Sequence, residues 1–327
     1  MITIILPVLN EEKYLPHCLD SILSQDFPSA EMEVLVVDGL STDASRSIIQ
    51  RYQSLHPFIR LVDNPSRTAP YAMNKGIEES KGDVIVRMDA HAEYPSNYLS
   101  ALYARLVALR ADNVGCACKT DVLHKTAKSL AIREVLCNKL GVGNSTFRTG
   151  CSEVMRVDTV PFGCFPKETF EQYGLYDVRL SRNQDIELNK RIVRMGGSVY
   201  IVPDTYCTYY ARETFSDLAR NNYRNGLWNI LTVYLTKTFS SLSVRHFIPL
   251  LFVLSLVGGL LLSFFSVVPL LSLLLVYGGV VGGVSMYLAC RKRLNVLCLM
   301  SAFFVLHVSY GVGSFVGLLR VLFGKRE

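Results

Sequence analysis

The sequence predicts an α/β fold: a domain with a mainly parallel sheet, followed by an α-helical membrane region. Two features predict it. Strand and helix patterns alternate through residues 2–88, and two long stretches near the end, 247–290 and 294–319, contain no Asp, Glu, Lys or Arg. Alternation in short units builds a parallel sheet with right-handed crossovers.

Residues 2–9 form a continuous apolar run, which suits a strand buried on both faces. Residues 11–23 have helical spacing through Leu15, Leu19, Ile22 and Leu23. The pattern repeats with a strand at 33–38, a helix at 43–55, a strand at 58–62, a helix at 69–80 and a strand at 84–88. Beyond residue 110 it loosens: strands are expected at 114–118 and 198–202, helices at 169–173 and 185–194, and a loop at Gly141, Val142, Gly143 and Asn144. Residues 215–234 mix Arg220 and Arg224 with Trp228 and Tyr234, which suits an interfacial helix at headgroup level or an ordinary surface helix.

One helical crossing needs about 20 apolar residues. The first charge-free stretch therefore suits two crossings, at about 247–266 and 269–289, and the second suits one, at about 295–318. The domain boundaries expected are 1–213, 214–246 and 247–327. A hairpin turning near Ser266 and Pro269 returns Arg291, Lys292 and Arg293 to the cytoplasm, as the positive-inside tendency asks. A third crossing then places Arg320, Lys325 and Arg326 outside, against that tendency; a re-entrant or interfacial segment bent at Gly311, Val312, Gly313 and Ser314 would keep them inside. Length favours three crossings.

The formal charge of +6 has a local source, because Arg212, Arg220, Arg224, Lys237 and Arg245 precede the first apolar stretch. Basic residues there favour an anionic membrane surface. No basic stripe with interleaved stacking aromatics points to nucleic acid. Nine cysteines occur without a C-x-x-C pair, and Cys116 and Cys118 are too close for a zinc knuckle, so a reducing compartment is expected. The opening apolar run is too short for a signal peptide, which leaves the polar domain in the cytoplasm, tethered to the inner membrane.

Ligands in such sheets sit beyond the carboxyl ends of the strands. Those ends carry Leu9, Asn10 and Glu11, then Asp38 and Gly39, then Asp89, Ala90 and His91. No Walker lysine loop and no G-x-G-x-x-G cradle is present, so a diphosphate here needs a divalent cation as counter-charge. Asp89 and His91, two apart on an extended chain, would point the same way and could share that cation with phosphate oxygens and water. A D-x-H triplet alone is a weak signal; its place at a strand end strengthens it. Asp38 suits a hydrogen bond from ribose or base, with Asp43 the expected helix cap. Arg67, Asn74 and Lys75 lie on the side where a nucleotide would sit.

The series Pro7-Val8-Leu9-Asn10-Glu11, Val37-Asp38-Gly39-x-Ser41-x-Asp43, Asn74-x-Gly76 and Asp89-Ala90-His91 resembles the inverting family 2 glycosyltransferases. The resemblance implies a GT-A (Rossmann-like) fold, a nucleotide-diphosphate sugar donor, with a UDP-sugar expected, and Mg2+ or Mn2+. It also places Pro7, Leu9, Asn10, Glu11, Asp38, Arg67, Asn74, Lys75, Asp89 and Ala90 at the donor. His91 stands where the family's D-x-D has its second Asp. Further on, Val160-Pro161-Phe162-Gly163-x-Phe165, Tyr176-Asp177-x-x-Leu180 and Asn183-Gln184-Asp185-Ile186-Glu187-Leu188 resemble the acceptor region of bacterial succinoglycan-type exopolysaccharide glycosyltransferases. That resemblance implies Asp185 as catalytic base, with Gln184 in place of the usual Glu, and puts Phe162, Gly163, Gln184 and Glu187 near the acceptor.

Inverting displacement needs one carboxylate beside the acceptor hydroxyl. Asp185 and Glu187, two apart at a helix start, do not share a face, so only one can serve. From spacing alone Asp185 reads equally as an N-terminal acid favoured by the helix dipole. Processive synthases carry Q-x-x-R-W before their membrane region; Arg220-Asn221-Asn222-Tyr223-Arg224 here implies addition of a single sugar, to a lipid-linked acceptor presented at the membrane. The alternatives are a polyprenyl-phosphate sugar synthase, whose ionised acceptor needs no base, and a nucleotide-sensing membrane subunit without turnover.

Overall fold

The computed structural model describes residues 1–143, 147, 150–239 and 244–324. Asn144 of the expected loop and Lys325 and Arg326 of the basic tail lie outside them. Two compact units are present: residues 1–119 with 146–210, and residues 120–145 with 211–327. Residues 120–145, expected in the first domain, thus group with the C-terminal helices.

In the first unit, β1 (Ile2–Val8), α1 (Leu15–Leu23), β2 (Met32–Asp38), α2 (Ser45–Leu55), β3 (Ile59–Asp63), α3 (Ala69–Glu79) and β4 (Val84–Arg87) follow the expected alternation. β5 (Ala92–Glu93), α4 (Tyr98–Leu109) and β6 (Asn113–Asp121) come next. The sheet order is β3-β2-β1-β4 and then, with strands introduced below, β8-β6-β9-β5. The first four strands pair in parallel. β4 meets β8 antiparallel, so the mainly parallel sheet that was expected is in fact mixed. The strands that follow are β7 (Met155–Arg156), β8 (Cys164–Pro166) and β9 (Val199–Tyr210), and no helix separates β7 from β8. Continuous runs such as Ile4, Ile5 and Leu6, and Val34, Leu35, Val36 and Val37, are fully buried because both sheet faces are covered.

The helices α5 (Ala127–Leu136) and α6 (Lys139–Val142) fall in the second unit, so Gly141 and Val142 are helical and not the loop expected. α7 (Glu168–Tyr173) and α8 (Gln184–Arg194) belong to the first. The second unit continues with α9 (Phe215–Thr236), α10 (Ile248–Leu262), α11 (Val268–Lys292) and α12 (Val296–Leu322). Three apolar helices here are long enough to cross a membrane: 19 residues from Val244, 25 from Val268 and 27 from Val296. α12 runs as one helix through Gly311, Gly313 and Ser314.

α3 lies close on β1 because residue 76 has no side chain. A Cβ at Gly76 would stand 2.5 Å from the Ile5 Cγ2 methyl. Gly76→Leu should therefore cost about 1–3 kcal/mol through overpacking. The midpoint of denaturant unfolding reads this out; an unchanged midpoint would show that α3 can shift off the sheet at no cost.

Candidate active site

The loops after β1 and β2 are stitched together by short polar side chains. Asn10, at φ 56°, accepts the Thr42 amide through Oδ1 at 2.8 Å, and its own amide donates to Ser41 Oγ at 2.8 Å. The Glu11 amide donates to Ser45 Oγ at 2.8 Å, and the Glu12 amide to Asp43 Oδ2 at 3.1 Å. Asp43 also accepts the Ser45 amide at 2.9 Å where α2 opens, but the N-cap is Ala44 and not Asp43 as expected. These bonds fix the rim at the carboxyl ends of the parallel strands. Leu9 and Arg67 are exposed on it, and the Arg67 Cα stands 3.3 Å from the Cβ that Gly39 lacks.

Asp38 is tied into the frame. Its side chain is fully buried, accepts from Ser41 Oγ at 2.5 Å and pairs with Arg46 Nη1 at 2.9 Å. Arg46 also reaches Asp63 at 2.6 Å. The carboxylate helps to hold β2, β3 and α2 together. Asn74 is likewise engaged: its amide donates to the Tyr176 carbonyl at 2.9 Å and its Oδ1 accepts the Tyr176 amide at 3.0 Å. It fastens the Tyr176 segment to α3. Lys75 lies 4.0 Å from Glu79 on its own helix. Pro7 sits within β1, in register with Val37, and Ala90 is buried.

The triplet at the end of β4 is not extended. The Ala92 amide donates to the Asp89 carbonyl at 3.2 Å, which makes a turn, so Asp89 and His91 do not share a strand face as expected. The Asp89 amide donates to Tyr94 Oη at 2.7 Å, and its Oδ1 accepts from Arg87 Nη2 at 3.1 Å. His91 Nδ1 lies 3.2 Å from Glu11 Oε1, and its ring stands edge-on to Tyr209. Both side chains stay partly open, Asp89 at 18% and His91 at 19% exposure.

Arg87 organises the centre. Its side chain is 5% exposed and ion-pairs with Asp89 and with Asp185, the first-turn acid of α8. Its amide donates to the Gly163 carbonyl at 3.0 Å, and its guanidinium lies 6.0 Å from the Phe162 ring centre. Phe162 and Gly163 both have positive φ, 61° and 105°, and a Cβ at Gly163 would collide with Asn113 and Phe165. Burial opposes the Arg87 charge, but Asp185 and Asp89 outweigh it and keep the guanidinium protonated. Burial pushes the Asp185 carboxyl up to about 6; Arg87 pulls it down and Asp89 adds to the rise. A carboxylate poised there is suited to proton transfer near neutral pH.

Gln184 Oε1 and Tyr176 Oη are buried without a well-aligned hydrogen bond among the described residues, and Tyr176 lies within reach of both Asp185 and Arg87. Burial raises the Tyr176 hydroxyl, and the Asp185 charge adds to it. Buried polar atoms left unpaired mark a place where a ligand or water completes the bonding. Glu187 is elsewhere. It is 7% exposed and clasps Arg191 through two bonds, 3.0 and 2.9 Å, while Arg191 also binds the carbonyls of Tyr173 and Leu175. Expected near an acceptor, it is engaged with Arg191 in this structure. Arg87 and Tyr176 are the site residues sequence reasoning did not single out.

Among the described residues no group of three or more His, Cys, Asp or Glu side chains forms a ready-made metal cage. Asp89 and His91 suit a different kind of site, in which one or two protein ligands hold Mg2+ or Mn2+ and substrate phosphates and water supply the rest. The local charge favours a cation, because the Glu11, Asp89 and Asp185 carboxylates outnumber the Arg87 guanidinium.

An α/β sheet whose rim brings a strand-end acid and a helix-start acid onto one buried arginine is the setting of a group-transfer enzyme. Residues 3–160 match the family described as Glycosyl transferase family 2. That segment, a little under half of the chain, is a glycosyltransferase family 2 domain. The chain is 27% identical, over 71% of its length and 77% of the relative's, to the dolichyl N-acetyl-alpha-D-glucosaminyl phosphate 3-beta-D-2,3-diacetamido-2,3-dideoxy-beta-D-glucuronosyltransferase of Methanococcus voltae. It is 30% identical to the succinoglycan biosynthesis protein ExoA of Rhizobium meliloti (strain 1021), over 64% of this chain and 63% of that one, so it spans less than two thirds of that relative. The fold is GT-A. The mannosyltransferase PcManGT from Pyrobaculum calidifontis, in complex with GDP-Man and Mn2+, superposes with a TM-score of 0.55 at 19% identity, covering 99% of this chain and 88% of that one. S. aureus TarS 1-349 in complex with UDP-GlcNAc gives 0.51 at 16% identity, covering 99% and 92%.

The partition of roles between the two acids of α8 is testable by stability. Breaking the buried Glu187–Arg191 pair with Glu187→Ala should cost about 3–5 kcal/mol, read as a fall in the unfolding midpoint. Asp185→Asn keeps the size of a more open side chain and leaves Arg87 its pair with Asp89, so it should fall less. Equal losses would show that both acids serve the fold alike.

Proposed function

We propose that the chain transfers one sugar from a nucleotide-diphosphate sugar, with a UDP-sugar expected, to a lipid-linked saccharide, with inversion at the anomeric carbon. The observation that carries this reading is the buried Arg87 shared between Asp89 and Asp185, which sets a donor-side acid and an acceptor-side acid at one place. The names of the relatives support the acceptor class: one is a dolichyl-linked sugar transferase and another a succinoglycan biosynthesis protein. The apolar helices from Val244 onward support work at the cytoplasmic face of the inner membrane, with the unit of residues 1–119 and 146–210 as the catalytic domain.

Asp185 accepts the proton of the acceptor hydroxyl as its oxygen attacks the anomeric carbon. The bond from that carbon to the diphosphate oxygen breaks, and the nucleoside diphosphate leaves from the opposite side. Arg87 keeps Asp185 oriented and limits the rise in its proton affinity. Tyr176 Oη and Gln184 Oε1 offer hydrogen bonds to acceptor hydroxyls. Asp89 and His91 would hold Mg2+ or Mn2+, which offsets charge on the departing diphosphate. Glu11 orients His91 from behind.

Asp185→Asn should lower transfer by about 10²–10⁴ while nucleotide binding, followed by calorimetry, stays nearly intact. Activity within about threefold of the natural enzyme would remove Asp185 from the role of base and favour an acceptor that is already ionised, as in a polyprenyl-phosphate sugar synthase.

The pH profile follows from the same carboxyl. Asp185 must be ionised to take a proton, so kcat/KM should fall as pH drops through about 6. Arg87→Gln removes the cation that favours the charged form and should move that acid limb to higher pH. A limb that stays in place would separate Arg87 from the base.

Activity should also be lost on exhaustive chelation and return with Mn2+ or Mg2+. Asp89→Ala and His91→Ala should each weaken binding of nucleoside diphosphate in the presence of the ion. Full activity in chelator would overturn the metal role and leave the base assignment untouched.

A further inference from the structure

The geometry of the second unit points to a role for α12 that its composition hides: it lies along the membrane interface, and the end of the chain stays on the side from which α10 departs. The reason is what runs beside it. Leu218 of α9 shares a buried cluster with Leu306 of α12. Further along, Gly313 abuts the Tyr223 carbonyl, Gly226 abuts the Tyr310 carbonyl, and a Cβ at Gly317 would stand 2.9 Å from the Leu227 carbonyl. Ser314 Oγ donates to the Gly226 carbonyl at 3.1 Å, and the Asn229 side-chain amide donates to Tyr310 Oη. Partners on α12 advance as residues on α9 advance, so the helices run parallel and side by side. On the earlier part of α12, Leu299, Ala302 and Phe303 pack with Ala131, Ile132 and Val135 of α5.

A crossing uses about 20 residues. α12 has 27, and any such window within it contains residues 303–315. The part of α9 beside that core carries Asp217, Arg220 and Arg224, with 65% of the Arg220 side chain exposed. α5 adds Lys128, exposed, and Arg133, paired with Asp121 at 3.3 Å. A crossing by α12 would take these charges into hydrocarbon at its own depth, where such groups are strongly disfavoured. No shift of the window along the helix avoids this.

The other flank of α12 suits lipid. Leu297, Ser301, Phe304 and Val312 follow one another at helical spacing on its exposed side, and Leu322 and Phe323 are exposed at its end. α10 and α11 also expose apolar side chains, among them Leu251, Leu261, Leu271 and Leu275. The partner of the α12 stripe is the boundary between headgroups and acyl chains of a bilayer, with charge-bearing helices behind it. The arrangement leaves α10 and α11 as the hairpin that enters the hydrocarbon. Arg320 then remains on the same side as Arg291, Lys292 and Arg293.

The chain has a single tryptophan, Trp228, which makes depth measurable. In a Trp228→Phe background, Leu297→Trp, Phe304→Trp and Val312→Trp are each reconstituted as full chains in phosphatidylcholine–phosphatidylglycerol vesicles with lipids brominated at shallow or deep acyl positions. All three should be quenched best by the shallow bromines. Strongest quenching of Phe304→Trp or Val312→Trp by the deep bromines would overturn the assignment. Protease on sealed vesicles gives a second reading that needs no tryptophan variant. Epitope tags before Met1 and after Gly324 should be cut from the same side; cleavage of one while the other is protected would overturn it as well.

Discussion

A guanidinium buried to 5% exposure can persist only where opposite charges face it, and Arg87 has two. Removing one partner from such a group leaves a charge stranded, which is why buried pairs are held so tightly to their geometry. Here the constraint joins parts of the chain distant in sequence. Asp89 follows β4 directly, whereas Asp185 opens α8 almost a hundred residues later, at a separation of 98 from Arg87. Gly163 accepts the Arg87 amide, and Phe162 lies beneath the guanidinium, so the strained turn before β8 is drawn in too. The paired hydrogen bonds of Asn74 with Tyr176, and the clasp of Glu187 on Arg191, hold the same segment from two further directions. What reads as separate donor and acceptor motifs is one electrostatic unit with a supporting frame. That unity accounts for the proton affinity of Asp185, raised by burial yet restrained by the cation beside it.

The fold was legible in the sequence where burial is complete. β1, β2 and β4 are largely apolar runs, and the helices between them show their spacing plainly, so boundaries agree to within a few residues. The antiparallel half was not legible, for identifiable reasons. β5 and β7 have two residues and β8 has three, too few for any periodicity. β9 was expected to end at 202 but continues to Tyr210 through Pro203, Asp204 and Thr205, a passage with no apolar alternation. Its pairing with β5 and β7 overrides local preference.

The site divides in the same way. Asp89, His91 and Asp185 could be named because strand ends and helix starts are visible in a sequence and chemistry demands acids there. Partners are not visible. Asp38, Asn74 and Glu187 sit in motifs as recognisable as that of Asp185, yet each proves to be bonded to the frame: Asp38 to Arg46 and Ser41, Asn74 to the Tyr176 backbone, Glu187 to Arg191. Arg87 was overlooked for the opposite reason. One Arg closing the strand Val84–Arg87 looks like a solvated strand end, and the one hint was that Asp89 follows it so closely.

Composition misleads most in the C-terminal helices. Mean hydropathy weighs each residue alone and registers α12 as apolar along its length, but a helix is placed by its neighbours as well as by its own side chains. The glycines at 311, 313 and 317 look like points of weakness in sequence; in the structure they are where other backbones come nearest. Gly311 lies against the Pro249 carbonyl of α10, while Gly313 and Gly317 lie against α9. Such close approach lets a polar helix satisfy itself on an apolar one. α9 buries Asn222, Asn229 and Thr232, and these turn inward to the Leu218 carbonyl, Tyr310 Oη and the Trp228 carbonyl respectively. With those groups satisfied, what α9 leaves outside is charge, at Arg220 and Arg224, and charge is what fixes the depth available to everything packed beside it.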